Sequence, residues 1–279
     1  MSVEHITSNI GEYHARPEWS SSQVKMLPDD VVGFYRRHIT GEFPFKQTAS
    51  TKLGDAVHRA LLDGAQVMDI PPEVLSKNGA KAGSAWTQFA AENSDKVLVK
   101  ADDPIKHMVA SVRAEPAAMR LLEAPGWTEH TLVYRDEETG LWLRTRPDRI
   151  IRLKDGLVLP DIKSTKDPLP GDHHFGKEIA TLDYHRQAAW YRDGVSLWLP
   201  GEPMARFAPI AVRNAPPYEC VVHDLDEDDI DQGQRENRRA LEELKRRLES
   251  GDWNLSTHGQ AVPISLPKWR KERNYDFGG

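Results

Sequence analysis

Apolar residues recur at helical spacing through the first hundred positions and switch to alternation after Gly126. Trp19-Ser20-Ser21-Ser22 precedes Val24, Met26 and Leu27, which predicts a helix with a serine cap. Leu53, Val57 and Leu61 stand four apart, predicting a helix over Lys52–Asp63 that Ser50 or Thr51 would cap and Gly64 would end. A further helix is expected over Ala80–Glu92 with Trp86, Phe89 and Ala90 inward. Asp103-Pro104 opens another through Met108 and Val112, and Pro116 separates it from Ala117–Glu123.

From Glu129 the pattern is that of strands: Glu129–Arg135, a turn at Asp136–Gly140, Leu141–Leu153, and Leu157–Ser164. Asp155-Gly156 predicts a tight hairpin between the last two. Phe175–Leu199 reads as helix with a break near Leu182-Asp183, Ala205–Arg213 and Tyr218–Leu225 as strands, and Ile230–Glu249 as a charged helix with a solvated or subunit-facing surface. Helices followed by meandering strands and a crossover helix indicate an α/β fold. The expected organisation is one domain over residues 1–255, mainly helical to 125 and sheet-based from 126, with a loosely ordered tail at 256–279 that carries the basic run Lys268–Arg273.

Composition removes several classes of function. Among 279 residues there is one cysteine, Cys220, so disulfide frameworks, cysteine–zinc sites and four-cysteine iron–sulfur sites are excluded within one chain. Cys220 itself, in the apolar stretch Tyr218–Val222, reads as a small buried hydrophobe. No apolar run approaches a membrane span, and Glu4, Glu12 and Glu18 interrupt any secretory leader, so a soluble cytoplasmic protein is expected. The net charge of −6 gives no sign of nucleic acid, so phosphate binding would need a local basic surface. Any metal would be held by carboxylates and histidine, which points to magnesium, with manganese able to substitute.

The chemistry concentrates in Arg146-Pro147-Asp148 and Asp161-Ile162-Lys163. Side chains two apart on a strand share a face, so Asp161 and Lys163 project together while Ile162 points away. The hairpin brings Asp148 beside them, with Arg144 and Arg146 on its own face. Two carboxylates on one sheet face repel each other unless a cation lies between them. Solvated salt bridges are the alternative, but Leu157-Val158-Leu159 marks the strand as covered. Arg144 and Arg146 suit backbone phosphates. Gln187 and Tyr191, one helical turn apart, could bind phosphate or orient the lysine. Ser20, Ser21 and Ser22 could cap a helix or receive an anion. Glu129 is a candidate third carboxylate.

Pro147-Asp148 with Asp161-Ile162-Lys163 resembles the signature of the PD-(D/E)xK nuclease superfamily. Gly54-Asp55-Ala56-Val57-His58 and Gln187-Ala188-Ala189-Trp190-Tyr191 narrow the resemblance to its RecB-like branch. Tyr13-His14 through Ser22, Gly79–Asn93 and Asp136–Asp148 are similar to the exonuclease VIII (RecE) nuclease domain. The likeness spans about residues 10–253. It implies a restriction-endonuclease-like α/β core, a central mixed sheet flanked by helices, behind a helical N-terminal region. It implies Mg2+ held by Asp148, Asp161 and the Ile162 carbonyl, with His58 and Glu129 completing that site or a second one, and Lys163 acting on the attacking water. The implied activity is exodeoxyribonuclease action on double-stranded DNA ends, 5′→3′, leaving 3′ tails for recombination. A homo-oligomeric ring, a single-strand annealing partner, a 5′-phosphate anchor and a phage or prophage origin in a bacterial cytoplasm are further implications. An endonuclease, a single-strand-specific nuclease and a non-catalytic DNA-end-binding module are the alternatives.

Overall fold

The computed structural model describes residues 3–6, 10–44, 46–203 and 205–268. The first half holds β1 (Glu4–Ile6), α1 (Ile10–Ala15), α2 (Ser21–Val24) and α3 (Val31–Phe34), which runs into a π-helical turn at Tyr35–Ile39. Then come α4 (Ala49–Leu61), β2 (Val67–Asp69), α5 (Ser84–Glu92), β3 (Val97–Val99), α6 (Pro104–Ala114) and α7 (Pro116–Glu123). The second half holds β4 (Gly126–Thr128), β5 (Thr131–Arg135), β6 (Trp142–Thr145), β7 (Arg149–Leu153) and β8 (Gly156–Thr165). After these come α8 (Phe175–Thr181), α9 (Tyr184–Trp198), β9 (Arg206–Arg213), β10 (Cys220–Val222) and α10 (Glu227–Ser250).

A five-stranded mixed sheet in the order β10-β9-β8-β7-β4 forms the centre. β8 runs parallel to β9 and antiparallel to β7, the hairpin that Asp155-Gly156 predicts. Along β8 the pleat divides the core. Leu157 and Leu159 face Ala188, Ala189 and Val195 of α9, whereas Ile162 packs with Val57 of α4 and Met108 and Val112 of α6. Each of the buried Leu, Ile, Val and Met side chains contributes about 1.5–3 kcal/mol by leaving water.

Several expectations are corrected. Leu141–Leu153 is not one strand: Pro147 removes an N–H, and β6 and β7 on either side of Arg146-Pro147-Asp148 belong to different sheets. β5 and β6 join β1 in a separate three-stranded antiparallel sheet. Glu129 is not in a strand but at the β4–β5 corner, with φ 51. α4 begins at Ala49, capped by Thr48, whose Oγ1 accepts the Thr51 N–H at 3.2 Å. No residue of α5 is fully buried, so Trp86 and Phe89 only half-cover the surface. α10 keeps its charged face in solvent, as expected, but its other face is covered. It buries Ile230, Ala240, Leu241 and Leu244 against α9 and α2, and a Cβ at Gly233 would meet the His185 carbonyl at 2.4 Å, so only glycine permits this crossing.

Among the described residues no helix is long and apolar enough to cross a membrane. The chain from Leu255 to Lys268 lies exposed, and the basic positions 269–273 fall outside the described residues.

Candidate active site

The ladder between β7 and β8 stops at the Ile151–Val158 pair, and Pro160 has no N–H with which to prolong it. Beyond that point the backbone of Ile162 finds side chains instead of a strand. Asp148 Oδ2 accepts the Ile162 N–H at 2.8 Å, and His58 Nε2 donates to the Ile162 carbonyl at 2.9 Å. His58 reaches this point because Val57 and Ala60 seat α4 on the sheet and leave its ring at the rim of the buried face. Its Nδ1 is 3.5 Å from Asp148 Oδ2. Asp148, Asp161, the Ile162 carbonyl and His58 therefore meet beside the second half of β8; strand period and hairpin predict the approach of Asp148 to Asp161, and the family resemblance implies His58 and the Ile162 carbonyl.

Lys163 forms an ion pair with Asp161, whose side chain is 2% exposed. Its ammonium also donates to Gln187 Oε1 at 2.8 Å, and Gln187 Nε2 donates to the Tyr191 hydroxyl at 2.7 Å. Gln187 and Tyr191 thus share one face of α9 directed at the site. The ammonium also lies 4.4 Å from the centre of the Tyr184 ring.

Burial and the neighbouring Asp161 push the Asp148 carboxyl up to about 6. Burial alone would depress His58, but the Asp148 and Asp161 carboxylates and the Ile162 carbonyl outweigh it and hold the imidazole above its ordinary value. Lys163 is likewise held up, against burial, chiefly by Asp161. Lys163 and His58 thus offset part of the charge of a buried carboxylate pair. The hard oxygen donors, Asp148, Asp161 and the Ile162 carbonyl, with one imidazole, fit a small divalent cation such as magnesium or manganese.

The other predicted residues divide. Glu129 is tied to the site through its backbone, its N–H donating to the Asp148 carbonyl at 3.0 Å. Its carboxylate, however, pairs with Arg146 at 2.8 Å and adds to the burial that raises the pKa of Asp63. Asp63 is a neighbour that no motif indicated. Arg144 is corrected from phosphate contact to an internal clamp. It is 2% exposed, donates to the Arg16 carbonyl at 2.6 Å and to the Glu18 carbonyl, and lies over the Tyr13 ring. Ser20 and Ser21 are buried, at 3% and 7% exposure, and Ser22 alone of the three is exposed. Ser20 acts as a cap whose N–H and Oγ both engage Gln23 Oε1 at 2.9 Å. A phosphate approaching this helix start would therefore meet Ser22 first.

Tyr184 and Lys25 are close to Lys163 but stand outside every motif. Burial lowers Lys25 to about 8, and its ammonium donates to the Leu182 carbonyl at 2.7 Å. The only signal for Tyr184 was its position three residues before Gln187 on a predicted helix. Asp183, His185 and Glu236 form a second group able to hold a metal. There the Arg186 guanidinium, 3.8 Å from Asp183 and 3.9 Å from Glu236, already supplies positive charge.

Residues 20–258 match the family model described as a PDDEXK-like domain of unknown function (DUF3799). The chain belongs to this PDDEXK-like family. Its fold is also similar to the crystal structure of a candidate exonuclease from Eubacterium rectale, with a TM-score of 0.58 at 11% identity over 96% of this chain and 98% of that one. The crystal structure of SSO0001 aligns at a TM-score of 0.30 and 14% identity over 74% of this chain and 89% of that one, too weak a likeness to indicate a shared fold. No curated protein matches the sequence. The PDDEXK-like assignment agrees with a restriction-endonuclease-like α/β core, a mixed sheet with helices on both faces, Asp161 and Lys163 on its central strand β8 and Asp148 just before the neighbouring β7.

Proposed function

We propose that this PDDEXK-like protein is a metal-dependent exodeoxyribonuclease that degrades linear double-stranded DNA from its 5′ ends and leaves 3′ single-stranded tails. The observation that carries the reading is the cluster on the central strand in which Asp148 and His58 bind the Ile162 backbone beside the Asp161–Lys163 ion pair. Asp148, Asp161 and the Ile162 carbonyl would hold Mg2+, with His58 beside them. When bound, the ion lowers the pKa of its water and neutralises charge developing on phosphate. Lys163 directs its ammonium to the attacking water and to the phosphoryl oxygens, a contact that strengthens as negative charge builds there. Gln187 orients that ammonium and is itself fixed by Tyr191. Arg146, paired with Glu129, is the arginine of the predicted set that lies beside the site, and Ser22 is the exposed serine that a terminal 5′ phosphate would meet. A homo-oligomeric ring around DNA, an annealing protein as partner, and a phage or prophage origin in a bacterial cytoplasm belong to the same reading.

The test is digestion of linear duplex labelled at the 5′ or the 3′ end, beside a covalently closed circle, in magnesium. Early release of the 5′ label with an intact circle is expected. Cutting of the circle would select an endonuclease instead. Binding of DNA ends without hydrolysis in magnesium or manganese would select a non-catalytic module. Calcium should support DNA binding without turnover, because it accepts the same oxygens with looser geometry and acidifies water less.

A further inference from the structure

We propose that Tyr184 is a positioning residue for the Lys163 ammonium, carrying it on the face of its ring; this rests on the reading of Lys163 as the group that acts on water and phosphate. The ammonium lies 4.4 Å from the ring centre, and the Lys163 side chain is only 12% exposed. A cation over an aromatic face is attracted by the ring quadrupole, and the attraction grows as water is removed. Tyr184 opens α9 one turn before Gln187, so the ring and the amide approach Lys163 from the same helix face.

The ring is held from behind. Asp183, in the left-handed region at φ 55, turns the chain from α8 into α9, and Lys25 ties the preceding Leu182 carbonyl to α2 at 2.7 Å. Tyr184 packs on the fully buried Phe175, with ring centres 6.1 Å apart. Two of the three supports of Lys163, the Gln187 amide and the Tyr184 ring, are neutral. That matters because Asp161 is the third. When Asp161 turns its oxygens to a divalent cation, the ammonium loses part of its ion pair, and a four-carbon side chain without other anchors would swing among rotamers. The ring and the amide keep it in place without adding a further carboxylate to a pair that already repels.

The experiment compares Tyr184→Phe, Tyr184→Leu and Lys163→Ala by kcat and KM on linear duplex, together with the proton shift of the Lys163 Hε resonances in protein labelled with 13Cε-lysine. Lys163→Arg assigns the peak. The ring face should shift Lys163 Hε upfield in wild type and in Tyr184→Phe, and Tyr184→Leu should abolish the shift. Tyr184→Phe should keep kcat within about 2-fold, whereas Tyr184→Leu should lower it about 3- to 30-fold with KM and melting temperature unchanged, the range set by one desolvated cation–ring contact. The proposal is overturned if wild type lacks the upfield shift, if Tyr184→Leu keeps wild-type kcat, or if Tyr184→Phe loses as much kcat as Lys163→Ala. Should Tyr184→Leu fail to fold, the wild-type shift and the Tyr184→Phe rate decide the matter. An upfield shift in a protein that hydrolyses no DNA would leave the contact standing and sink the nuclease reading alone.

Discussion

Asp148, beside β8, and Asp136, held by Arg238 of α10, have opposite electrostatic fates. Burial pushes both carboxyls up. At Asp136 the push is overcome: Arg238 grips both oxygens at 2.8 Å, and Thr139 donates from its N–H at 2.9 Å and from its hydroxyl, so its pKa falls below the ordinary value. At Asp148 it is not. The second carboxylate, Asp161, adds to burial, and the Ile162 N–H, His58 and Lys163 leave the group at about 6. Asp136 closes a turn and anchors α10, and its charge is complete within the fold. Asp148 instead shares its surroundings with a second buried carboxylate, which Lys163 and His58 offset only in part. Buried charge is common to both, so burial alone does not distinguish them; two adjacent carboxylates in one buried cluster do.

The largest effect is expected at Lys163. Lys163→Ala should lower turnover by roughly 10²–10³, the scale of one lost transition-state charge contact. DNA affinity should change far less, because one ammonium among many phosphate contacts adds little to ground-state binding. Asp161→Ala should instead lose metal binding and activity together, which isothermal titration with Mn2+ would detect. Near-wild-type turnover in Lys163→Ala at saturating magnesium would place this cluster in the same class as the one around Asp136.

Arg144 provides the next contrast. Its guanidinium serves the Arg16 and Glu18 carbonyls, so Arg144→Ala should destabilise the fold by about 2–4 kcal/mol in chemical denaturation. The salt dependence of DNA binding should keep its slope. A slope reduced by about one would return Arg144 to phosphate contact.

On the satisfied side, Arg238→Ala should destabilise by about 1–2 kcal/mol, a value discounted because the guanidinium is partly exposed, and leave turnover per folded molecule intact.

The smallest effect is at Asp193, which burial pushes up to about 6 in spite of Arg238. A carboxyl raised in the folded state favours folding below its unfolded pKa and loses that contribution as pH rises through the folded one. At pH 7 the ionised Asp193 is therefore a cost. Asp193→Asn should stabilise by about 1 kcal/mol at pH 7, the advantage fading as pH falls from about 6 to 4 in thermal melts across that window. A constant difference across that range would remove Asp193 as the cause.

Local pattern determined the centre of the candidate site. The pleat places Asp161 and Lys163 on one face, and the Asp155-Gly156 hairpin brings Asp148 alongside, because strand period and turn chemistry act over a few residues. The break at Leu182-Asp183 and the shared face of Gln187 and Tyr191 were legible for the same reason. Only the tertiary structure decided which charges are internal. Arg144 and Arg146 stand two apart on the chain, yet one clamps residues 16 and 18 and the other pairs with Glu129, across 128 and 17 positions respectively. The charge along α10 marked its exposed face, but which elements cover its apolar stripe, α9 and α2, was set only by the fold. Tyr184 carried no motif, because what singles it out is the distance from its ring to an ammonium on β8, and such a distance exists only once α9 has packed across the sheet.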